Sequence, residues 1–89
     1  MADREDAPHL HDRADVAVLG RQVRWRRKQL DLRQEELADL AGCSERFVHM
    51  LEAGKPTVRL DKVLDVLRVL GLHLEVRRGV ADGITVADT

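Results

Sequence analysis

The side chains in this chain whose types and spacing can do chemistry gather between positions 33 and 55, and that chemistry is recognition rather than catalysis. Ser44, Glu45, Arg46 and, one turn on, His49 share the leading end and outer side of a segment, Glu45–Glu52, whose Phe47, Val48 and Leu51 step inward at helical spacing. A helix N-terminus offers unpaired N–H groups to phosphate oxygens. Arg46 can meet guanine O6 and N7 with two parallel hydrogen bonds, a contact worth about 1–3 kcal/mol of discrimination. Glu45 can accept from cytosine N4 or repel a misplaced phosphate. Arg33 and Lys55 stand where they can grip phosphates on either side. For each of these residues the competing reading is an ordinary solvated side chain.

Other chemistries find little support. No nucleophile–base set, metal-ligand cluster or phosphate-cradling loop is present, and 89 residues leave little room for a pocket. An enzyme, a cofactor and a metal are therefore not expected. His9 and His11 are too few to hold a metal ion. The single Cys43 cannot make an internal disulfide and fits a reducing, cytoplasmic setting. No apolar run approaches the roughly 18 residues that cross a membrane, and the opening MADREDAPHLHD is acidic with no apolar targeting core.

The net charge of -1 conceals an uneven distribution. Residues 1–15 hold two basic and five acidic groups, residues 16–60 nine and six, and residues 61–89 four and five. The middle segment is thus modestly basic, and local charge is what meets a phosphate backbone. Apolar residues make up 44% of the chain with only one Trp, one Phe and no Tyr, which suits a compact helical core built from Leu, Val and Ala. A domain this small buries only about 60% of its unfolded surface and gains from oligomerising.

The elements that must position the recognition residues can be read in order. Residues 1–14, with Pro8, show no sustained period and read as a mobile arm; residues 15–71 form the folded domain. A first helix starts near Asp15, carries Val16, Leu19, Val23 and Leu30 inward, and ends at Asp31, placed where the left-handed conformation is wanted. Gln34 to Ala41 form a second helix with Leu37, Ala38 and Ala41 on one face. Only Gly42-Cys43-Ser44 separates it from the third, so the two must meet at a large angle, with Gly42 supplying positive φ, small Ala38 at the contact and Ser44 as N-cap. A fourth helix, Leu60 to Leu70, presents Leu60, Val63, Leu64, Leu67 and Leu70 as its inward row, and Gly71 closes it. Trp25 and Phe47 are assigned to the core. Arg21, Arg24, Arg26, Arg27 and Lys28 spread around the first helix, with at most one or two expected to touch DNA.

The stretch LGRQVRWRRKQLDLRQEELADLAGCSERFVHMLEAGKP resembles the Cro/C1-type (XRE) helix-turn-helix family. The matching features are Gln34, Leu37-Ala38, Gly42, Ser44 and Glu52-Ala53-Gly54, within residues 19–70. The resemblance implies an all-α, lambda-repressor-like bundle of four to five helices, with the second across the DNA backbone and the third in the major groove. It also implies a phosphate or base contact for Gln34 and a structural ion pair between Arg27 and Glu52. Two positions depart from the pattern. Arg33 stands where the family often has a capping Thr, and Arg26 where it often has Leu, with Trp25 placed to compensate.

After Gly71 the period changes to two: Leu72, Leu74 and Val76 alternate with His73, Glu75 and Arg77, the mark of a half-buried strand over residues 72–78. A strand needs a hydrogen-bonding partner. Either residues 84–86 fold back as a hairpin, or the same strand of a second subunit pairs across a twofold axis. The second is preferred, because it buries Leu72, Leu74 and Val76 as a dimer interface and matches a palindromic operator. Residues 79–89 remain as a tail available to a partner. A helix-turn-helix followed by such a strand, with the Gly-Lys-Pro-Thr turn and Leu-Asp-Lys-Val-Leu helix, is similar to the HipB-like antitoxins. That resemblance implies a HipA-like kinase toxin as partner and autorepression of a shared operon. The competing readings are a stand-alone regulator of the same fold and a protein–protein adaptor without DNA contact.

Overall fold

The computed structural model describes residues 14–79 and 83–87; the predicted arm, apart from Ala14, lies outside them. Four helices follow one another: α1 (Ala14–Gln29), α2 (Gln34–Ala41), α3 (Glu45–Glu52) and α4 (Leu60–Leu70). The predicted α2, α3 and α4 have these bounds, and α1 begins one residue earlier, with Asp15 in its first turn rather than at its cap. Asp15 at one end and Arg26, Arg27 and Lys28 at the other complement the helix dipole.

The helix ends show why the breaks fall where they do. Asp31 adopts φ 58°, and the chain turns with Leu32 N–H donating to the Arg27 carbonyl at 3.1 Å. Gly42, at φ 72°, ends α2 while Cys43 N–H reaches back to the Ala38 carbonyl at 3.0 Å. Ser44 then caps α3, its Oγ accepting from Phe47 N–H at 3.0 Å. At the end of α4, Gly71 repeats the left-handed turn and Leu72 N–H donates to the Leu67 carbonyl at 2.8 Å.

The core is shared by all four helices. Leu19 and Val23 come from α1, Leu37 and Ala38 from α2, and Val48 and Leu51 from α3. From α4 the inward row is Val63, Val66, Leu67 and Leu70, which differs from the predicted row: Leu60 and Leu64 are exposed. The helix is rolled toward α2, against which it packs more extensively than against α1, and that roll exchanges Leu64 for Val66. Fully burying a Val or Leu side chain contributes roughly 1.5–3 kcal/mol, so this shared cluster is the main source of stability. Trp25 is not part of it. Its indole is 59% exposed, whereas Phe47 packs against the core's edge.

Among the described residues no β-strand forms. Residues 72–78 leave α4 without a ladder partner in the single chain, and residues 84–86 do not pair with them as a hairpin. The three alternating apolar residues also differ in burial. Leu72 packs on the core, Leu74 is partly covered and Val76 is fully exposed. Leu72 owes its place to the α4 cap, where the residue after the left-handed Gly commonly makes an apolar contact with the helix. Ile84 also rests against the core.

Candidate nucleic-acid interface

The outer side of α3 is built by elimination of its inner side. Val48 and Leu51 point into the core, Phe47 and Met50 are half-buried on the flanks, and Glu45, Arg46 and His49 are left exposed on one contiguous face. Among the described residues none of these three makes a side-chain hydrogen bond. Ser44 spends its oxygen on the cap, leaving its hydroxyl proton available to an outside acceptor.

At the C-terminal end of α3 lies a buried polar knot. Arg27 Nε and Nη2 donate to the two carboxylate oxygens of Glu52 at 2.6 and 2.9 Å, in side-on, two-bond geometry. Its third donor, Nη1, reaches the Leu32 carbonyl at 2.8 Å. Gln34 Nε2 adds a bond to Glu52 Oε1 at 3.1 Å. The Glu52 side chain is 3% exposed and that of Arg27 10%. The hydrogen bonds to Glu52 and the attraction behind them hold the guanidinium more firmly protonated than usual, over the desolvation that burial imposes. Four places are thereby tied together: the end of α1, the turn after it, the first residue of α2 and the last of α3. One amide hydrogen of Gln34 faces inward to this knot, while its other hydrogen and its carbonyl remain for an external contact.

A backbone contact reinforces the tie. A Cβ at Gly20 would strike the Leu51 carbonyl oxygen and lie 2.9 Å from that of Glu52, so α1 lies directly on the final carbonyls of α3. On the other side, Lys62 Nζ donates to the Gly42 carbonyl at 3.1 Å and fastens α4 to the turn between α2 and α3. Neither link is visible in sequence spacing, because each depends on how two helices cross.

Arg33 precedes α2 without a capping acceptor of its own, since a guanidinium only donates. Instead Glu36 returns from one turn on to accept from Arg33 N–H at 2.8 Å, the reciprocal half of a capping box. The Arg33 side chain is exposed and folds toward Glu36 at 3.2 Å and Glu35 at 3.9 Å. The backbone N–H of Arg33, and then its guanidinium, hold the Glu36 carboxyl below its ordinary range. Lys55 is exposed just beyond α3. Arg33, Ser44, Glu45, Arg46, His49 and Lys55 are thus all exposed, with Gln34 half-buried between them and the knot.

Arg26 solves the second departure differently from the expectation. It is half-buried, and its Nε donates to the Leu70 carbonyl at 2.9 Å, placing a cation on the C-terminal end of α4. Trp25 plays no compensating part. Cys43 is partly covered, and burial pushes its thiol pKa up, which makes it a poor nucleophile. Among the described residues no group of three or more metal-binding side chains occurs, and no helix is long and apolar enough to cross a membrane.

Residues 18–79, spanning α2, α3 and α4 and most of α1, match the family model for a helix-turn-helix domain. The chain is 50% identical over 76 residues to a protein of Sinorhizobium fredii (strain NBRC 101917 / NGR234) described as an uncharacterized HTH-type transcriptional regulator, y4mF. That alignment covers 85% of this chain and 90% of the relative. The chain belongs to the helix-turn-helix domain family, whose members are DNA-binding regulatory modules and not enzymes.

Proposed function

We propose that this protein is a sequence-specific transcriptional regulator that lays α3 in the major groove of its operator. The observation that carries the reading is the exposed Glu45–Arg46–His49 face, with α3 fixed at its C-terminal end by the Arg27–Glu52–Gln34 knot. In this reading Arg46 reads a guanine, Glu45 and His49 contact neighbouring base edges, and Ser44 with the free N–H groups of α3 meets a phosphate. Gln34, Arg33 and Lys55 grip the flanking backbone. Arg33 does so by exchanging its exposed carboxylate partners for phosphate, an exchange of weak surface pairs. The regulator described in Sinorhizobium fredii supports the same reading.

The experiment is operator selection from a random duplex library, followed by gel shift with Arg46→Ala. Loss of one bidentate base contact weakens specific binding by about 1–3 kcal/mol, tenfold or more, with circular dichroism unchanged. Undiminished affinity in Arg46→Ala, or no selected sequence at all, refutes the reading and favours an adaptor that kept only the fold.

A homodimer on a palindromic operator is part of the proposal, with Leu72, Leu74 and Val76 of residues 72–78 as the shared strand; the exposure of Leu74 and Val76 in the single chain supports it. Of the two biological settings, a stand-alone regulator fits the relative's description as a transcriptional regulator. The antitoxin setting, with a HipA-like kinase toxin bound through the tail at residues 79–89, rests on the sequence resemblance. Co-purification of a kinase with the tagged chain from its host, abolished by removing the tail, separates the two.

A further inference from the structure

Two helix faces of this chain carry opposite charge in matching amounts. Arg21, Arg24, Trp25 and Lys28 recur at the i, i+3, i+4, i+7 spacing of one stripe on α1, and all four are exposed. The stripe holds three cations, the chain's single Trp and no carboxylate. A shallow groove of ≈ 830 Å³ lies over it, lined also by Gln22, Val86 and Ala87. On α2 the relation is reversed. Glu35, Glu36, Asp39 and Leu40 occupy the side turned away from buried Leu37 and Ala38. That helix has three carboxylates, no cation, and a Leu that is 63% exposed.

The two faces do not meet inside one chain. Helix α1 makes almost no direct contact with α2. The bond from Gln34 to Glu52 and the burial of Leu37 keep the acidic side of α2 turned outward. Among the described residues no ion pair joins Arg21, Arg24 or Lys28 to Glu35, Glu36 or Asp39. Glu35 and Glu36 lean on Arg33 instead, in exposed pairs of the kind that exchange at little cost. The lengths agree: Arg21 and Lys28 stand about 10 Å apart along α1, and α2, with eight residues, is about 12 Å long.

We infer that the α1 stripe is a docking surface for the outer face of α2 from a second copy of this chain. Arg21, Arg24 and Lys28 meet the carboxylates of Glu35, Glu36 and Asp39, and Leu40 covers Trp25. The contact joins two different patches, so each copy keeps one face of each kind open to the next. A duplex backbone answers the cations but offers nothing apolar to Trp25 and Val86, whereas α2 supplies both. Faces this small fall short of the roughly 1,200 Å² at which stable interfaces begin, so the association is weak in free solution. On the regulator reading proposed above, it acts between copies already held on one DNA molecule, where effective concentration is high.

Charge reversal in solution, without DNA, tests this contact separately from that reading. Arg24→Glu and Asp39→Lys alter exposed side chains and are expected to keep the parent's circular dichroism. Sedimentation at low salt, over a hundredfold range of concentration, should show the parent assembling beyond the species it forms when dilute. Trp25 emission moves to the blue in step, and added salt reverses both. Each variant alone is expected to associate about three- to tenfold more weakly, because an attractive pair becomes a repulsive one. An equal mixture of the two restores association, since every contact between unlike copies then brings opposite charges together. A strand-paired dimer is indifferent to both substitutions. Variants that assemble like the parent, a mixture no stronger than either variant, or a parent that never grows overturn the proposal. Weaker operator binding by Arg24→Glu, with a shallower salt dependence and no recovery on mixing, also overturns it, because the stripe is then a track for phosphates.

Discussion

Glu52 accepts three hydrogen bonds from two residues that lie 25 and 18 positions away in sequence. Its removal therefore costs more than an ion pair is worth, because Arg27 is left charged and desolvated. Glu52→Ala is expected to lose about 3–5 kcal/mol in urea denaturation, a large share of a small domain's stability, whereas Glu52→Gln retains one acceptor oxygen and loses less. Equal stability in Glu52→Ala and the parent would contradict a buried, two-bond pair. Glu36 supplies a pH-dependent counterpart on the surface. Its folded pKa is lowered, so its contribution is present above the ordinary carboxylate range and is lost as pH falls through the lowered value. Carboxyl-carbon NMR should find Glu36 titrating below the ordinary glutamate range, and Arg33→Ala, which keeps the backbone donor, should move it only part of the way back. Ser44 and Gly42 are legible residue by residue because cap and turn chemistry is local, whereas the bond from Gln34 to Glu52 depends on how α2 meets α3. The half of a capping box that Glu36 supplies is less legible, because the motif is ordinarily marked by a Ser or Thr at the cap and here an Arg stands there.

At the scale of elements, two glycines beside α3 fail for different reasons when a methyl is added. Gly42 has nothing within 4 Å of a built Cβ, so Gly42→Ala bears only the left-handed backbone penalty, about 1–2 kcal/mol. Gly20 is an ordinary helical residue, but its Cβ collides with the last carbonyls of α3. Gly20→Ala is expected to cost more than Gly42→Ala and to lower operator affinity as well, because α3 must shift. Thermal melts and gel shifts on the two variants check that order; a harmless Gly20→Ala would mean that the helices stand farther apart. Helices α2, α3 and α4 were legible to the residue because each ends on a Gly or begins on a cap. The inward row of α4 was misread since Leu60 and Leu64 fit an amphipathic period as well as Val66 does, and only the neighbouring α2 decides the roll. Arg26 and Trp25 were misread together: a cation within a helical stripe looks misplaced until the carbonyl end of another helix is known to await it.

For the whole molecule, the four-helix architecture follows from the sequence, while the assembly depends on surfaces that a single chain leaves open. The alternation from Leu72 to Val76 was read as a strand, yet an alternating pattern states which face is apolar and not what covers it. In one chain Leu72 serves the end of α4 and Val76 stays in solvent. Removing residues 72–89 is expected to give a monomer by analytical ultracentrifugation with weakened operator affinity. A dimer that survives the truncation would move the interface elsewhere, with exposed Leu60 and Leu64 on α4 as the first place to look.

The knot at the end of α3 has one more consequence. The side-chain bonds that tie α3 to α1 and α2 are made by Glu52, and among the described residues Glu45, Arg46 and His49 make no side-chain hydrogen bond. These three positions can be rewritten in combination, and the preferred operator changed, while the scaffold that presents them stays as it is.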